Sequence, residues 1–345
     1  MKFAIVFGGI SFEHEISIVS AIALKDVLKK ELEFIFIDKD REFYLIDAQN
    51  MKSKFFSSGD YKKSEKLTLK NGGFYKKALL GDKKVQIDTV INLVHGGDGE
   101  DGKLAGMFNF FGIDFIGPRV EASVLSFNKL YTKLYANEIG VKTLDYEVLR
   151  DREYKLKKLN FPVIIKPSRL GSSIGVSIVK DESELEYALD VAYEFDSEIV
   201  VEPFIEGVKE YNLAGALTKD GYIFSIVEEP QKKEFLDFEK KYMDFSRTKQ
   251  VLKADIDEKL EESLKENFKK IYSKLFQGAI IRCDFFVVDK EVVLNEINPI
   301  PGSYANYLFS DFNKVVDEVA KNLPKQQKIE IDYKYINSIV KAKGK

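Results

Sequence analysis

The chain is poor in the residues that build disulfides and histidine-rich metal sites. Its 345 residues include no tryptophan, one cysteine and two histidines. A lone Cys283 cannot form an internal disulfide, which is typical of a protein from a reducing compartment. Two histidines cannot build a multi-histidine metal site. We therefore expect a cytoplasmic protein without a disulfide framework or a zinc-type site.

Long apolar runs and a strong charge of either sign are also missing. No segment approaches the roughly 18 uninterrupted apolar residues of a membrane span. The apolar run at residues 3–7 is too short for a secretory signal, and Glu13 and Glu15 follow it. The formal net charge of −3 gives no electrostatic reason to bind nucleic acid or an acidic membrane surface. We therefore expect neither as a partner.

The pattern of strands and helices predicts an α/β chain of three domains. Residues 1–117 alternate continuous apolar strands with helices, which is typical of a parallel sheet covered on both faces. Residues 118–202 have the pattern of a small α+β unit, and residues 203–345 combine strands with one long helix. In the first domain we expect strands at 3–7, 34–37 and 90–94 and a helix at 16–30. Later elements are strands at 162–166, 176–179 and 198–202 and helices at 182–193 and 257–275.

Four further segments complete the prediction. Residues 50–86 are interpreted as an irregular or short-stranded surface insertion, and residues 231–250 as a loop with partial helix. One helix is expected from Pro118 to Gly140. Its apolar stripe is Val124, Phe127, Leu130, Tyr131 and Leu134. The polar end of the chain is expected to dock a helix through Tyr333, Tyr335 and Ile336.

A hairpin near the C-terminal end carries two acidic residues and an amide. The predicted strands are residues 278–288 and 291–297. A three-residue turn would place Asp284 directly opposite Glu296, with Cβ atoms about 4.5–5.5 Å apart and Asn298 on the same face. Two carboxylates and an amide oxygen are a ligand set that Mg²⁺ accepts alongside phosphate oxygens. The alternative is a cross-strand pair of Arg282 with a glutamate on a solvated face.

A lysine at the end of a strand precedes a glycine- and serine-rich loop. Lys166 ends a buried strand, and residues 170–175 read Leu-Gly-Ser-Ser-Ile-Gly. Such a loop offers backbone N–H groups and hydroxyls to phosphate oxygens, although no P-loop sequence occurs in the chain. The alternative is a flexible hairpin tip. Lys129, on the preceding helix, is by itself only a solvated helix lysine.

Three further stretches have both functional and ordinary explanations. After the first strand, Gly8-Gly9 lead to Glu13, which could hold an ammonium or merely cap a helix. His95 ends a strand before a glycine-rich loop, where open α/β sheets bind ligands, but it could equally be a turn residue. Glu202 and residues after it could contact a nucleoside or form an interdomain linker.

Taken together, these segments resemble the D-alanine–D-alanine ligase family of the ATP-grasp superfamily. The matching residues are 7–17, 93–102 (Leu-Val-His-Gly-Gly-Asp-Gly-Glu-Asp-Gly), 166–175, 282–284 and 295–302 (Asn-Glu-Ile-Asn-Pro-Ile-Pro-Gly). They occur in the family's order and span nearly the whole chain. The resemblance implies a Rossmann-like N-terminal domain, a central ATP-grasp domain, and a C-terminal ATP-grasp domain with the metal site and a lid at about 231–250.

The resemblance also implies a role for each matching residue. ATP would be bound by Lys129, Lys166, Ser173, Glu202, Phe204, Ile205, Glu210 and Lys241. Two Mg²⁺ ions, or Mn²⁺, would be held by Asp284, Glu296 and Asn298. Glu13 would hold the first D-alanine's ammonium and form a lid-closing trio with Ser172 and Tyr242, and Arg282 with the Gly302 N–H would form an oxyanion hole. D-Alanine would also be contacted by His95, Ser303, Tyr307 and Leu308.

These roles imply ATP-dependent joining of two D-alanine molecules through a D-alanyl phosphate, for peptidoglycan precursors. Family members usually form dimers, so we expect a homodimer. Two positions depart from the family pattern. Tyr307 occupies the position of a serine that holds the second substrate's carboxylate, and Leu236 replaces an early aromatic residue of the lid.

Three other functions compete with this one. The first is a ligase that joins D-alanine to D-lactate or D-serine. Depsipeptide-forming members replace the lid tyrosine, so Tyr242 argues for an amine acceptor. The second is an ATP-binding protein without ligase activity, which predicts the loss of metal ligands or of Arg282. The third is a Rossmann dehydrogenase, which fits only residues 1–117 and lacks the Gly-x-Gly-x-x-Gly fingerprint.

Overall fold

The computed structural model of the protein describes residues 1–151, 156–230, 251–325 and 329–343. Its first sheet has eight strands in the order β6-β5-β4-β3-β2-β1-β7-β8. These strands are β1 (Lys2–Gly8), β2 (Glu31–Ile37), β3 (Phe43–Ile46), β4 (Glu65–Lys70), β5 (Gly73–Ala78), β6 (Gly81–Lys84), β7 (Thr89–Asn92) and β8 (Phe115–Ile116). The associated helices are α1 (His14–Val27), α2 (Ser53–Ser57) and α3 (Lys103–Phe110).

The centre of this sheet is parallel and buried on both faces, as the continuous apolar strands predict. β1 pairs in parallel with β2 and β7. Phe3 and Ile5 belong to the apolar cluster on one face, and Ala4 and Val6 to the cluster on the other. Alternate side chains of a strand point to opposite faces, so a strand buried on both sides must be apolar throughout.

The segment interpreted as an irregular or short-stranded insertion extends this sheet with short strands. β4, β5 and β6 pair with one another and with β3 in an antiparallel arrangement. Only a few of their side chains, such as Leu67 and Phe74, are buried. Because the outer face of these strands is solvated, their sequence is polar and lacks a continuous apolar run.

The central unit is a four-stranded antiparallel sheet in the order β11-β10-β12-β9. Its strands are β9 (Glu147–Leu149), β10 (Val163–Pro167), β11 (Ser177–Val179) and β12 (Ile199–Pro203), and its helices are α4 (Val120–Phe127), α5 (Lys129–Glu138) and α6 (Leu185–Tyr193). Strand β9 has no counterpart in the sequence prediction. The other strands and α6 agree with the predictions to within a few residues.

The single helix expected between residues 118 and 140 is wrong. The chain forms two helices, α4 and α5, separated at Asn128. The Asn128 side chain accepts hydrogen bonds from the backbone N–H groups of Leu130 and Tyr131 and so caps α5. The predicted apolar stripe is also wrong in part, because Val124, Tyr131 and Leu134 are exposed. The break places Lys129 in the first turn of α5.

The C-terminal unit is a four-stranded antiparallel sheet in the order β14-β13-β15-β16. Its elements are β13 (Lys209–Thr218), β14 (Gly221–Glu228), β15 (Ile281–Val288), β16 (Glu291–Asn298), α7 (Glu258–Tyr272) and α8 (Phe312–Lys321). One face packs on α7 through a cluster that includes Tyr211, Leu213 and the buried Cys283. On the other face, Ala214 and Ala216 join the apolar cluster of the first sheet, so the two units pack directly on each other.

The predicted terminal helix exists, but its predicted docking is wrong. The helix α9 (Lys334–Lys343) contains no buried residue. Tyr333, Tyr335 and Ile336 are 58–79% exposed. The amphipathic sequence is therefore sufficient for a helix, although its apolar side chains do not pack on the described part of the chain.

A substitution in the turn between β15 and β16 tests the local backbone. Asp289 and Lys290 form this turn with φ values of +50° and +68°. Lys290→Gly should raise the free energy of unfolding by about 0.5–1 kcal/mol, because a left-handed backbone is costly for a residue with a Cβ. Chemical denaturation measures the change. The control is Lys219→Gly, in the exposed turn after β13, where the lysine has no positive φ. This variant should lower the free energy of unfolding. Stabilisation by both variants would contradict the left-handed conformation assigned to Lys290.

Candidate active site

The register of the β15–β16 hairpin places Asp284 directly opposite Glu296, as predicted. The predicted three-residue turn is wrong, because Val288 pairs with Glu291 across a two-residue turn. A register shift after Asp284 supplies the extra residue instead, as a bulge at Asn295. Without the bulge, Asp284 would face Asn295, and Glu296 would lie on the opposite face of the sheet.

Arg282, Asp284 and Asn298 form a hydrogen-bonded group on the site face of this hairpin. The Asp284 carboxylate accepts bonds from Arg282 Nε and Nη2, each 2.7 Å long, and from Asn298 Nδ2 at 2.9 Å. Asp284 is buried. The alternative of an arginine–glutamate pair on a solvated face is therefore not what the structure has.

Burial raises the pKa of Asp284 to about 7, although Arg282 opposes this, and the nearby Glu296 and Glu210 raise it further. A cation between these carboxylates would remove their repulsion. Within the described residues, no group of three or more His, Cys, Asp and Glu side chains forms a metal site by itself. A cation here would therefore also require amide, water or substrate oxygens, as Asn298 and phosphate groups provide.

A buried lysine–glutamate–lysine group lies beside the hairpin. Glu202 on β12 forms ion pairs with Lys166 Nζ on β10, at 2.5 Å, and with Lys133 Nζ on α5. Burial alone would raise the pKa of Glu202, but Lys166 and Lys133 outweigh it and lower the pKa to about 2. Asn295, the bulge residue, accepts a hydrogen bond from Lys166 at 3.3 Å. The bulge thus connects the β15–β16 hairpin, which carries the predicted metal residues, to Lys166, a predicted phosphate-binding lysine.

Lys133 is a residue that the sequence analysis missed. It lies one helical turn after Lys129 on the same helix, so the i, i+4 spacing could have indicated it. Its side chain is buried and extends over the ring of Tyr146. Lys129 itself donates to the carbonyl of Leu170 at 2.5 Å, and burial lowers its pKa while Glu296 opposes the shift. Lys129 is therefore not a solvated helix lysine.

The other predicted nucleotide residues line the adjacent strands. Phe204 and Ile205 follow β12 directly, and the Phe204 N–H donates to Pro162. Glu210 lies on β13 opposite Phe286, on the face that carries Asp284. Ser173 lies in the loop between β10 and β11 with a φ of +56°. Lys241, Tyr242 and Leu236 lie outside the described residues.

Glu13 connects the N-terminal turn to the central loop. Ser172 Oγ donates to Glu13 Oε1 at 2.6 Å, which joins residues 159 positions apart. Burial and the neighbouring Glu100 raise the pKa of Glu13, and its Oε2 is buried without a hydrogen-bond partner. The Glu13 side chain does not cap α1. A Cβ at Gly171 would lie 2.8 Å from Glu13 Oε1, so a larger residue there would displace the Glu13 carboxylate from its present position.

His95 is buried behind this turn. Its Nε2 lies 3.1 Å from Ser20 Oγ, and its Nδ1 lies 3.6 Å from a carboxylate oxygen of Glu100. Burial lowers the pKa of His95 to about 4 and raises that of Glu100 to about 8. Glu100 lies in the glycine-rich segment after β7, but the sequence pattern did not indicate a role for it. Ser20 belongs to no sequence motif, so nothing in the sequence indicated it.

The segment after β16 forms a strained turn at the centre of the site. Ser303, Tyr304 and Ala305 have φ values of +47° to +52° inside a 3-10 segment, Gly302–Leu308. Such a left-handed backbone is costly for residues other than glycine. The turn is held by the Tyr304 hydroxyl, which donates to the carbonyl of Asn92, and by the Ser303 N–H, which donates to Ser20 Oγ.

The predicted substrate residues Ser303, Tyr307 and Leu308 are all buried in or beside this turn. Burial lowers the pKa of Arg282, but Asp284 and, to a smaller extent, Tyr307 outweigh it and raise that pKa. Gly302 is buried at the start of the same turn. The structure therefore brings Arg282, Gly302 and the predicted substrate residues to one end of the C-terminal sheet.

Comparison with known sequences gives one family over nearly the whole chain. The family described as D-ala D-ala ligase N-terminus matches residues 2–118, and the family described as D-ala D-ala ligase C-terminus matches residues 135–321. The chain is 61% identical to the D-alanine--D-alanine ligase of Wolinella succinogenes over 345 residues, covering 100% of both chains. It is 62% identical to that of Sulfurovum sp. over 346 residues, again covering 100% of both.

Solved structures give the same result. The fold is similar to D-Alanine-D-Alanine Ligase from Helicobacter pylori, with a TM-score of 0.85 and 55% identity over 95% of this chain and 100% of that one. It is also similar to a D-Ala:D-Ser ligase from Enterococcus faecalis, with a TM-score of 0.73 and 26% identity over 93% of this chain and 98% of that one.

The ion pair of Lys133 with Glu202 should matter far more than a surface pair. We expect Lys133→Met to lower the free energy of unfolding by about 3–5 kcal/mol at neutral pH, because it leaves a buried carboxylate with half of its partners. Lys142→Met, which breaks an exposed pair with Glu291, should cost at most about 1 kcal/mol. The pKa of Glu202 falls from 4.5 to about 2 on folding, so this stabilisation is present above pH 4.5 and is lost as the pH falls toward 2.

Chemical denaturation at neutral and acidic pH measures both variants. The difference between Lys133→Met and the native chain should shrink as the pH falls. Equal costs for the buried and exposed variants would show that the buried pair contributes no more than a surface one.

His95 should stay neutral at physiological pH. Because its pKa is about 4 in the folded chain and 6.5 in the unfolded chain, the unfolded chain binds this proton first. Folding stability therefore falls as the pH drops from 6.5 toward 4. With only two histidines, NMR titration can follow the imidazole signals, assigned with His95→Gln and His14→Gln. A His95 signal with a midpoint near 6.5 would contradict the buried, neutral ring.

Proposed function

The chain belongs to the D-alanine–D-alanine ligase family, and from that premise we propose that it joins two D-alanine molecules at the expense of ATP. The products are D-alanyl-D-alanine, ADP and phosphate, and the dipeptide serves peptidoglycan precursor synthesis. The observation that carries the proposal is the convergence of charged groups from three sheets. Glu13 and Ser172 join the first two units, and Lys166, through Asn295, joins the second to the β15–β16 hairpin.

In the first step, the carboxylate of one D-alanine attacks the γ-phosphorus of ATP. A bond forms between the carboxylate oxygen and phosphorus, the bond to the ADP oxygen breaks, and an acyl phosphate results. Lys129 and Lys166 supply positive charge beside the transferring phosphoryl group. The nucleotide would be surrounded by Ser173, Phe204, Ile205 and Glu210. Glu202 would also contact it, held in position by its ion pairs with the two lysines. Lys241, outside the described residues, would complete this set.

Glu13 is proposed to hold the ammonium of the first D-alanine. Its Oε2 is buried without a partner, and burial raises its pKa. An ammonium bonded to Oε2 would favour the ionised carboxylate and so lower that pKa. His95, neutral and close to Ser20, would limit the space around the substrate. Tyr242 would join Glu13 and Ser172 when the proposed lid, about residues 231–250, closes and excludes water.

In the second step, the amine of another D-alanine attacks the acyl carbon. The C–N bond forms, the C–O bond to phosphate breaks, and the ammonium proton is lost. Negative charge develops on the carbonyl oxygen, which Arg282 and the Gly302 N–H would stabilise; losing one such donor typically costs about 10²–10³ in rate. Ser303, Tyr307 and Leu308 would contact the second D-alanine, with the Tyr307 phenol in the place of the usual serine.

Asp284, Glu296 and Asn298 would hold two Mg²⁺ ions, for which Mn²⁺ is an alternative. The site fits a cation because it contains Asp284, a carboxylate with a raised pKa, and a buried acceptor, Asn212 Oδ1, without a partner. When bound, divalent ions neutralise phosphate charge and orient the phosphoryl group for in-line transfer.

We further propose that the enzyme is a cytoplasmic homodimer without nucleic-acid or membrane partners, and that its three domains span residues 1–117, 118–202 and 203–345. Among the described residues, no helix is long and apolar enough to cross a membrane. A D-Ala:D-Ser or D-Ala:D-lactate ligase is the second candidate. The observation behind this candidate is Tyr307, which occupies the position of the serine that holds the second substrate's carboxylate in the family.

A product assay tests the proposal. The protein is incubated with ATP, Mg²⁺ and D-alanine, and phosphate release and dipeptide are measured together, with parallel reactions that add D-lactate or D-serine or replace D-alanine with L-alanine. We expect dipeptide from D-alanine, little mixed product, and no turnover with L-alanine. Mixed products in excess of D-alanyl-D-alanine would favour the second candidate instead.

Glu296→Gln should abolish turnover with the fold intact, because it removes one of two opposed metal carboxylates. Glu291→Gln is the matched control, since Glu291 lies on the same strand but is exposed at the turn. The control should keep near-native activity. Native-like turnover of Glu296→Gln would mean that the metal site lies elsewhere.

A further inference from the structure

Four polar residues form a row across the whole C-terminal sheet. The row consists of three directly opposed pairs in consecutive strands. Glu228 on β14 lies opposite Asn212 on β13, Asn212 lies opposite Asp284 on β15, and Asp284 lies opposite Glu296 on β16. We call these four residues the acceptor row. Directly opposed residues share a face, with Cβ atoms about 4.5–5.5 Å apart. The predicted metal residues thus continue into two strands that no sequence motif marked.

Asn212 is the unusual member of the acceptor row. Its Nδ2 donates to Glu228 Oε2 at 3.1 Å. Its Oδ1 has no hydrogen-bond partner, although the residue is only 6% exposed. Buried acceptors are almost always paired, so an unpaired amide oxygen at this position points to a missing donor or cation.

Asn212 also lies directly opposite Asp284 across the β13–β15 pair, so the two side chains share a face. Its Nδ2 is taken up by Glu228, which leaves Oδ1 as the free acceptor of the amide on that face. The Asp284 carboxylate there is also an acceptor, bonded by Arg282 and Asn298. Two oxygen acceptors side by side in a buried site repel each other unless a cation lies between them.

We propose that Asn212 Oδ1 is an additional oxygen ligand of the divalent cation that Asp284 would hold, with Glu228 fixing the amide. The proposal rests on the proposed function, because the cation belongs to the ligase site. It extends the predicted ligand set from the β15–β16 hairpin to β13. An isolated asparagine inside a strand has no spacing signature, which explains why the sequence did not indicate it.

Metal binding without turnover tests this role. Mn²⁺ is titrated into the full chain with ADP present, and free Mn²⁺ is measured by its EPR signal. Asn212→Ala should weaken Mn²⁺ binding about tenfold or more, the range seen when groups that support a metal site are removed. The double variant Asn212→Asp/Glu228→Gln keeps an oxygen beside Asp284 and an amide partner on β14, and should bind within about threefold of the native chain.

Asn322→Ala is the matched control. Asn322 Nδ2 donates to the carbonyl of Leu217 near the other end of β13, so this variant also removes one hydrogen bond to that strand. It should bind Mn²⁺ like the native chain, and thermal melting should show all variants folded. Native Mn²⁺ affinity in Asn212→Ala, or an equal loss in Asn322→Ala, would overturn the inference.

Asp284→Asn separates this inference from the proposed function. If Asp284→Asn weakens Mn²⁺ binding and Asn212→Ala does not, the metal site stands and only the role of Asn212 fails. If neither variant changes the affinity, the metal site itself is misplaced, and the inference falls with it.

Discussion

The bulge at Asn295 is the constraint on which the arrangement of the site depends. Side chains alternate along a strand, so one extra residue moves everything beyond it to the other face. The bulge brings Glu296 and Asn298 to the face that carries Arg282 and Asp284. It also lets Asn295 accept a hydrogen bond from Lys166 of the central sheet. A regular hairpin would place the carboxylates of Asp284 and Glu296 on opposite faces and lose this connection.

The candidate site contains several buried charged groups, and pairing with groups of opposite charge is what makes their burial tolerable. Glu202 stays ionised because two lysines offset its desolvation. Asp284 and Glu100 lack sufficient positive partners, so burial raises their pKa values. Buried acceptors without a partner remain at Glu13 Oε2 and Asn212 Oδ1. These are the places where a substrate ammonium and a divalent cation would complete the charge balance.

The sequence predicted most elements of the fold and the family, and the roles of the site residues stay predictions. Continuous apolar strands indicated the buried parallel sheet, and the helix at 257–275 appears as Glu258–Tyr272. The break at Asn128 was missed because its flanking residues continue a helical pattern, whereas the capping side chain decides the boundary. The apolar stripe of this segment failed for the same reason, since a break changes which side chains face the core.

The amino-acid sequence by itself determined most of the secondary structure, the family and the chemical identity of the candidate site residues, because hydrophobic periodicity and motif order are local properties of the chain. Only the tertiary structure decided the partners of those residues. The ion pair of Lys133 with Glu202, the bond of Ser172 to Glu13 and the acceptor row join positions up to 159 residues apart. Such contacts depend on strand register and sheet packing, and these are fixed by the fold as a whole.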